Sequence, residues 1–205
     1  VDTAEETGEG TLNLKNIATA FELPYYKIFN YKKIDSDLKK IYKNKTPCFV
    51  RLGKAPDKDP YSQDIKCNNN EGLVLTSGKE LTIFSTGNIL ENVYGAVKKL
   101  QLKGFKIKLI SLPILKPVNE KFILKNSTTN KIISIEENIE NGGLRSILTN
   151  LFFKFNINKK IHFKSLSLED KVHNKIGSQS YLRKINKLDQ GSIIKFVTKF
   201  LNEKY

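Results

Sequence analysis

Hydrophobic positions in this chain fall into short blocks that alternate between helical and strand spacing. Leu14, Ile17, Ala18 and Phe21 have helical spacing, and Leu23-Pro24 closes that helix before the β-rich run Tyr25-Tyr26-Lys27-Ile28-Phe29. Asp35 opens a second helical pattern carrying Leu38, Ile41 and Tyr42, followed by the short apolar strand Cys48-Phe49-Val50. Helix, strand, helix, strand is the order of parallel-sheet crossovers. After Gly53 the chain changes character. Pro56, Asp57, Asp59, Pro60 and Asn68-Asn69-Asn70 leave few apolar anchors, which predicts a linker between two folding units over residues 56–72.

From Leu73 the alternation resumes. Leu73-Val74-Leu75 and a turn at Ser77-Gly78 precede a buried strand, Leu81 to Phe84, that ends in Ser85-Thr86-Gly87-Asn88. The helix that follows buries Ile89, Leu90, Val93, Ala96, Val97 and Leu100 on one side, with Ser85, Thr86 or Asn88 expected to cap it and Lys98, Lys99, Lys103 and Gly104 closing it. Strands are predicted at 107–110, 131–135 and 161–164, and a short helix around 120–124. Pro113 and Pro117 interrupt regular structure. A helix after Gly142-Gly143 buries Leu144, Ile147, Leu148 and Leu151, with Phe152, Phe153 and Phe155 at its end. Two more carry Tyr181, Leu182 and Ile185, then Ile193, Ile194, Val197, Phe200 and Leu201. This order predicts one α/β domain with a mainly parallel sheet covered on both faces.

At 205 residues and 39% hydrophobic, the chain is long enough for one compact core or two small ones. A net charge of +14 raises the question of a nucleic-acid or anionic-membrane partner. The distribution answers it. Arginine occurs only at Arg51, Arg145 and Arg183, lysine is spread over nearly every segment, and no basic run exceeds two residues. The charge reads as a solvated lysine-rich surface, and neither nucleic acid nor membrane is expected as a partner. Cys48 and Cys67 make no disulfide framework and no CxxC pair, so no metal site is expected and a reducing cytoplasm fits. No apolar stretch approaches the about 18 residues of a membrane span, and the acidic N-terminus lacks the order of a signal peptide. The chain contains no Met, so Val1 is not an initiator residue and an upstream portion is expected.

Four ordered motifs then fall in register. Glu80-Leu81-Thr82-Ile83-Phe84-Ser85-Thr86-Gly87-Asn88 resembles the opening strand and turn of the C-terminal domain of transketolases, and Leu115-Lys116-Pro117-Val118-Asn119 resembles that family's KPLD turn. Ile133-Ser134-Ile135-Glu136-Glu137-Asn138 with Asn141-Gly142-Gly143-Leu144 is similar to its vEEn…GGlG segment. The tail, Ile176-Gly177-Ser178-Gln179 through Leu182 and Lys187-Leu188-Asp189 to Ile193, looks like the family's closing pattern. The likeness extends to 1-deoxyxylulose-5-phosphate synthases and to the beta subunits of 2-oxo acid dehydrogenases. Upstream, Pro47-Cys48-Phe49-Val50-Arg51-Leu52-Gly53-Lys54 resembles the strand that ends the pyrimidine-binding domain of these enzymes. Asn16 to Pro24 is equally similar to the end of the pyrophosphate-binding domain of acetolactate-synthase-like enzymes. Both alternatives are thiamine-diphosphate domains.

The resemblance implies a three-layer α/β/α transketolase C-terminal-like domain at 73–205, preceded at 1–55 by the remnant of a second α/β domain of thiamine-diphosphate type. It implies ketol transfer between sugar phosphates in a complete assembly that uses thiamine diphosphate with a divalent metal, Mg2+. The GDG…N motif that ligates that metal in the family is absent from this sequence, so the isolated chain is expected to bind no cofactor and to be inactive. The implied partners are an N-terminal thiamine-diphosphate-binding half or subunit, in a homodimer or heterotetramer, and a sugar phosphate. A synthase or dehydrogenase-subunit relative and a non-catalytic assembly module remain alternatives.

Arg51 is the best single functional candidate. In the resemblance an arginine at the end of this strand faces the substrate phosphate, for which a planar guanidinium is suited; the plain alternative is a surface arginine beside the linker. Pro113 is a departure, standing where the synthases carry a second phosphate-binding arginine. Glu136 and Glu137 invite an acid/base reading, but neighbours on a strand point to opposite sides. They are therefore assigned, with Asn138, Gly142 and Gly143, to a structural or subunit-contact loop, and no catalytic residue is expected in the chain. His162 and His173 have no nucleophile or acid placed beside them by the sequence.

Overall fold

The computed structural model describes residues 18, 20–27, 34–51, 72–113, 115, 118–157, 160–171 and 174–203. Leu14, Ile17, Cys67, Lys116, Pro117, His173 and nearly all of the expected linker lie outside the described residues. The chain divides into two compact units, residues 2–64 and 65–205.

In the first unit, strands β1 (Tyr25–Lys27) and β2 (Phe49–Arg51) pair in parallel, with Tyr25 opposite Phe49 and Lys27 opposite Arg51. Helix α1 (Ile34–Lys43) lies between them in the chain and carries Lys40 and Lys43 in its last turn, where a cation suits the helix dipole. A parallel pair needs such a crossover, and this is the one the alternating pattern predicts.

The second unit is built on a sheet of five strands in the order β3-β5-β4-β6-β7. These are β3 (Leu73–Thr76), β4 (Leu81–Thr86), β5 (Ile107–Ser111), β6 (Lys131–Ile139) and β7 (His162–Leu168). Only the edge strand β3 is antiparallel; it is locked to β5 by the Thr76 hydroxyl, which donates to Ile107 O at 2.9 Å and accepts from Leu109 N at 3.0 Å. Strand β4 is paired on both sides, and Leu81 to Ser85 are all buried, the continuous run expected where a parallel sheet is covered on both faces.

Five helices cover it: α2 (Leu90–Leu102), α3 (Glu120–Asn126), α4 (Leu144–Lys154), α5 (Gln179–Ile185) and α6 (Gln190–Asn202). One apolar cluster joins Phe84, Ile110 and Ile132 of the sheet to Ile123 of α3 and to Leu144, Leu148, Leu151 and Phe152 of α4. Helix α2 packs on β4 and β5 and against α6, close enough that a Cβ at Gly95 would sit 2.0 Å from the Gln190 amide. Truncating a leucine in such a core costs about 2–5 kcal/mol.

Three local expectations are corrected. Helix α2 has no side-chain cap: β4 continues through Thr86, whose hydroxyl donates to Leu112 O at 2.7 Å, Ser85 stays buried in the sheet, and the N-cap position falls to Ile89. Strand β6 runs past Ile135 to Ile139, because it keeps pairing with β7 across a bulge as far as Leu168, so Glu136, Glu137 and Asn138 belong to a strand end rather than a loop. On α5, Tyr181 and Ile185 point outward, and the inward residue is Arg183.

Candidate functional site

The chain leaves β4 toward β5 on one side and later leaves β6 toward β7 on the other, so the strand order reverses between β4 and β6. Open α/β sheets bind their ligands at the C-terminal strand ends beside such a reversal. Thr86 faces Glu136 there, as the last pair of the β4–β6 ladder.

Glu136, only 1% exposed, closes that point from within. Its two carboxylate oxygens accept from Leu144 N at 2.7 Å and Arg145 N at 3.0 Å, the first N–H groups of α4. A carboxylate in this position satisfies orphan donors and suits the positive end of the helix dipole. Burial raises its pKa above the usual carboxyl value of 4.5, opposed by the two backbone hydrogen bonds and assisted by the charge of Glu140. The close approach needs Gly143, where a Cβ would lie 2.3 Å from the Glu136 oxygen. Gly142 adopts φ +79, which suits glycine, and its N–H donates to the Ser146 hydroxyl at 3.0 Å.

Glu137 points the other way and meets a different partner. The Arg183 guanidinium donates to it through Nε at 3.0 Å and Nη2 at 2.8 Å, a bidentate pair whose side chains are 6% and 13% exposed. Asn138 is exposed. Around them Glu140 accepts from Ser165 at 2.6 Å and pairs with Arg145 at 2.8 Å. The arrangement anchors α4 and α5 to the end of β6. It contains no acid and base sharing a proton.

The structure does not bring the expected site residues together as one group. Glu136, Glu137, Asn138, Gly142 and Gly143 cluster at the end of β6, whereas Arg51 ends β2 in the other unit, and its side chain lies outside the description. Pro113 follows β5 at the same edge as Glu136 and is half-buried. His162 lies at the opposite edge, 3.9 Å from Glu203. An open cleft of about 510 Å3 between Lys79, Thr128, Asn130 and Asn202 also lies at that opposite edge. Among the described residues no three His, Cys, Asp or Glu side chains converge to hold a metal ion, so these residues do not fit a magnesium diphosphate. Arg183 and Arg145 were not singled out from the sequence as site residues. Their rarity in a chain rich in lysine was the available signal.

A family profile described as "Transketolase, C-terminal domain" matches residues 70–170. The second unit carries a transketolase C-terminal domain. Curated relatives of this transketolase-type chain include one subunit of the apulose-4-phosphate transketolase of Phocaeicola vulgatus, 32% identical over 104 residues that are 50% of this chain and 33% of that protein. The 1-deoxy-D-xylulose-5-phosphate synthase of Dehalococcoides mccartyi is 29% identical over 64% of this chain and 20% of its own length. A putative transketolase C-terminal section of Methanocaldococcus jannaschii is 24% identical over 81% of this chain and 52% of its own length. The chain thus spans between a fifth and about half of the length of these relatives. Among solved structures, one titled "Split gene transketolase, inactive beta4 tetramer" superposes with a TM-score of 0.68 at 21% identity, covering 89% of this chain and 59% of that one, a likeness of fold.

Proposed function

We propose that this chain is the C-terminal section of a transketolase-like enzyme that transfers a two-carbon ketol unit between a ketose phosphate and an aldose phosphate in the cytoplasm. The observation that carries this reading is the family match at residues 70–170 on a chain that spans 33% or less of two longer relatives. In the complete assembly, a homodimer or heterotetramer, thiamine diphosphate with Mg2+ supplies a carbanion that acts as nucleophile and electron sink. An N-terminal half or subunit holds that cofactor. Residues 73–205 supply the sheet whose switch-point end is closed by Glu136, Glu137, Gly142 and Gly143. Residues 1–55 are the end of a thiamine-diphosphate-type domain, joined through the linker at 56–72, and Arg51 at the end of β2 holds the substrate phosphate.

Calorimetric titration tests the division of labour: thiamine diphosphate with Mg2+ gives no binding heat with the isolated chain, and ketol transfer emerges when the N-terminal half is added. Binding by the isolated chain overturns it. In the reconstituted enzyme Arg51→Lys raises KM for the sugar phosphate about tenfold, because a point charge cannot match the planar fork. A second reading, a 1-deoxyxylulose-5-phosphate synthase relative, is favoured by the 133-residue match to such an enzyme. It predicts condensation of a 2-oxo acid with an aldose phosphate in the same mixture, and Pro113 weighs against it.

A further inference from the structure

Helix α5 is held by its buried side. Successive helical residues turn by about 100°, so Tyr181 and Ile185 share a face and Arg183 stands opposite. Arg183 is committed to Glu137 through two parallel hydrogen bonds, which fix the rotation of α5 about its own axis. Such a buried pair contributes little net stability against an apolar substitute, so orientation is what it secures. What it orients outward is apolar: Tyr181 is 44% and Ile185 43% exposed. The Tyr181 ring lies over Gly177, where a Cβ would be 2.5 Å from the ring, and Ser178 caps the helix by accepting from Tyr181 N. Ile176, 98% exposed, is thereby brought beside the tyrosine.

The surroundings are basic. Residues 169–190 contain six Lys or Arg and three Asp or Glu. Lys175, Lys184 and Lys187 are exposed around the apolar residues. Of the acids, Glu169 pairs with Lys171, Asp189 accepts from the first N–H groups of α6, and Asp170 is exposed. A second copy of the chain docked on the same face would set lysine against lysine, because a two-fold contact brings the same patch to both sides. The complement is an apolar patch rimmed by carboxylates.

We infer that the outward face of α5, with Ile176, Tyr181 and Ile185 as anchors inside a lysine rim, docks an acid-rimmed apolar patch on the polypeptide that carries the N-terminal half of the enzyme. This rests on the transketolase-like reading. The surface sits at the strand end closed by Glu136, so an occupant there lies next to the switch point.

The test titrates the full chain against the purified polypeptide that bears the N-terminal half, with sedimentation of the chain alone beside it. Ile176→Glu with Ile185→Glu weakens association at least about tenfold. Lys184→Glu with Lys187→Glu slows association and flattens its salt dependence. Phe153→Glu, which replaces an aromatic residue 63% exposed on α4, leaves the affinity unchanged, and all variants keep the parental melting curve. Wild-type binding that the α5 variants do not alter, or that Phe153→Glu weakens equally, overturns this surface and leaves the enzyme reading standing. No association by the wild-type chain overturns both. Self-association abolished by Ile185→Glu makes the face a contact between copies and overturns the assigned partner.

Discussion

Strand β6 meets a helix at each of its ends, and the two junctions use opposite charges in opposite surroundings. At the C-terminal end, Glu136 accepts from the first N–H groups of α4, and Glu137 binds Arg183 within the protein. At the N-terminal end, the Lys131 ammonium donates to the carbonyls of Phe200, Leu201 and Glu203 at the end of α6, at 3.0, 2.7 and 2.9 Å. Both follow the helix dipole, an anion at an N-terminus and a cation at a C-terminus. They differ in solvent. Lys164 and Glu203 beside Lys131 are 38% and 28% exposed, against 6% and 13% for Arg183 and Glu137. The buried junction should therefore resist substitution one partner at a time, and the open one should tolerate it.

The largest expected effect is at the buried pair. Arg183→Met leaves the Glu137 carboxylate without its partner and costs about 3–5 kcal/mol in chemical denaturation. Glu137→Leu combined with Arg183→Met recovers most of that loss, because two apolar groups need no partner. A single substitution costing less than about 1 kcal/mol would place this pair with exposed ones and erase the contrast.

Glu136→Gln comes next, at about 1–3 kcal/mol near neutral pH, because its amide nitrogen faces one of the two helix N–H groups. The pH dependence sharpens it. Burial raises the folded-state pKa of Glu136 above 4.5, so the stability tied to its protonation is fully present below 4.5 and is lost as pH rises through the raised value. The gap between parent and variant thus changes between neutral pH and 4.5, the parent gaining on the variant as pH falls. A gap that stays constant from neutral to acid pH would show that the carboxyl does not titrate there.

The contrast between the two junctions was only partly legible in the sequence. Blocks of β-branched and leucine residues announced nearly every strand and helix, because each buries a continuous run or stripe. Glu136 and Glu137 were legible as neighbours with different directions, since that needs only the alternation of a strand. The Arg183 partner, 46 residues from Glu137, was not, because no local pattern encodes which helix crosses which strand end. The reversal between β4 and β6 depends on strand order and is equally invisible to periodicity. Tyr181, Leu182 and Ile185 misled because helical spacing shows that a stripe exists and not which way it faces. Arginine used three times among so many lysines was the unused clue: Arg183 stands where a fork matters and lysine would not serve.

At the open junction, Lys131→Met keeps the aliphatic stem and removes the donor. The expected loss is about 1–2 kcal/mol, with faster amide exchange confined to the last turn of α6. Exchange that accelerates through the whole helix would mean that Lys131 holds the helix on the sheet rather than satisfying its end.

The smallest effect belongs to Lys164→Gln. The Lys164 hydrogen bond holds the Glu203 carboxyl below 4.5, against a smaller burial effect and with help from the charges of Lys164, His162 and Lys199. The corresponding stability is present above 4.5 and is lost as pH falls through the lowered value, so the parent loses an acid-side increment that the variant lacks. The two melting temperatures should differ slightly at neutral pH in low salt, converge in high salt, and converge again in acid. A difference that survives high salt would mean that this pair is as sheltered as Glu137 and Arg183, and the two ends of β6 would then differ in charge alone.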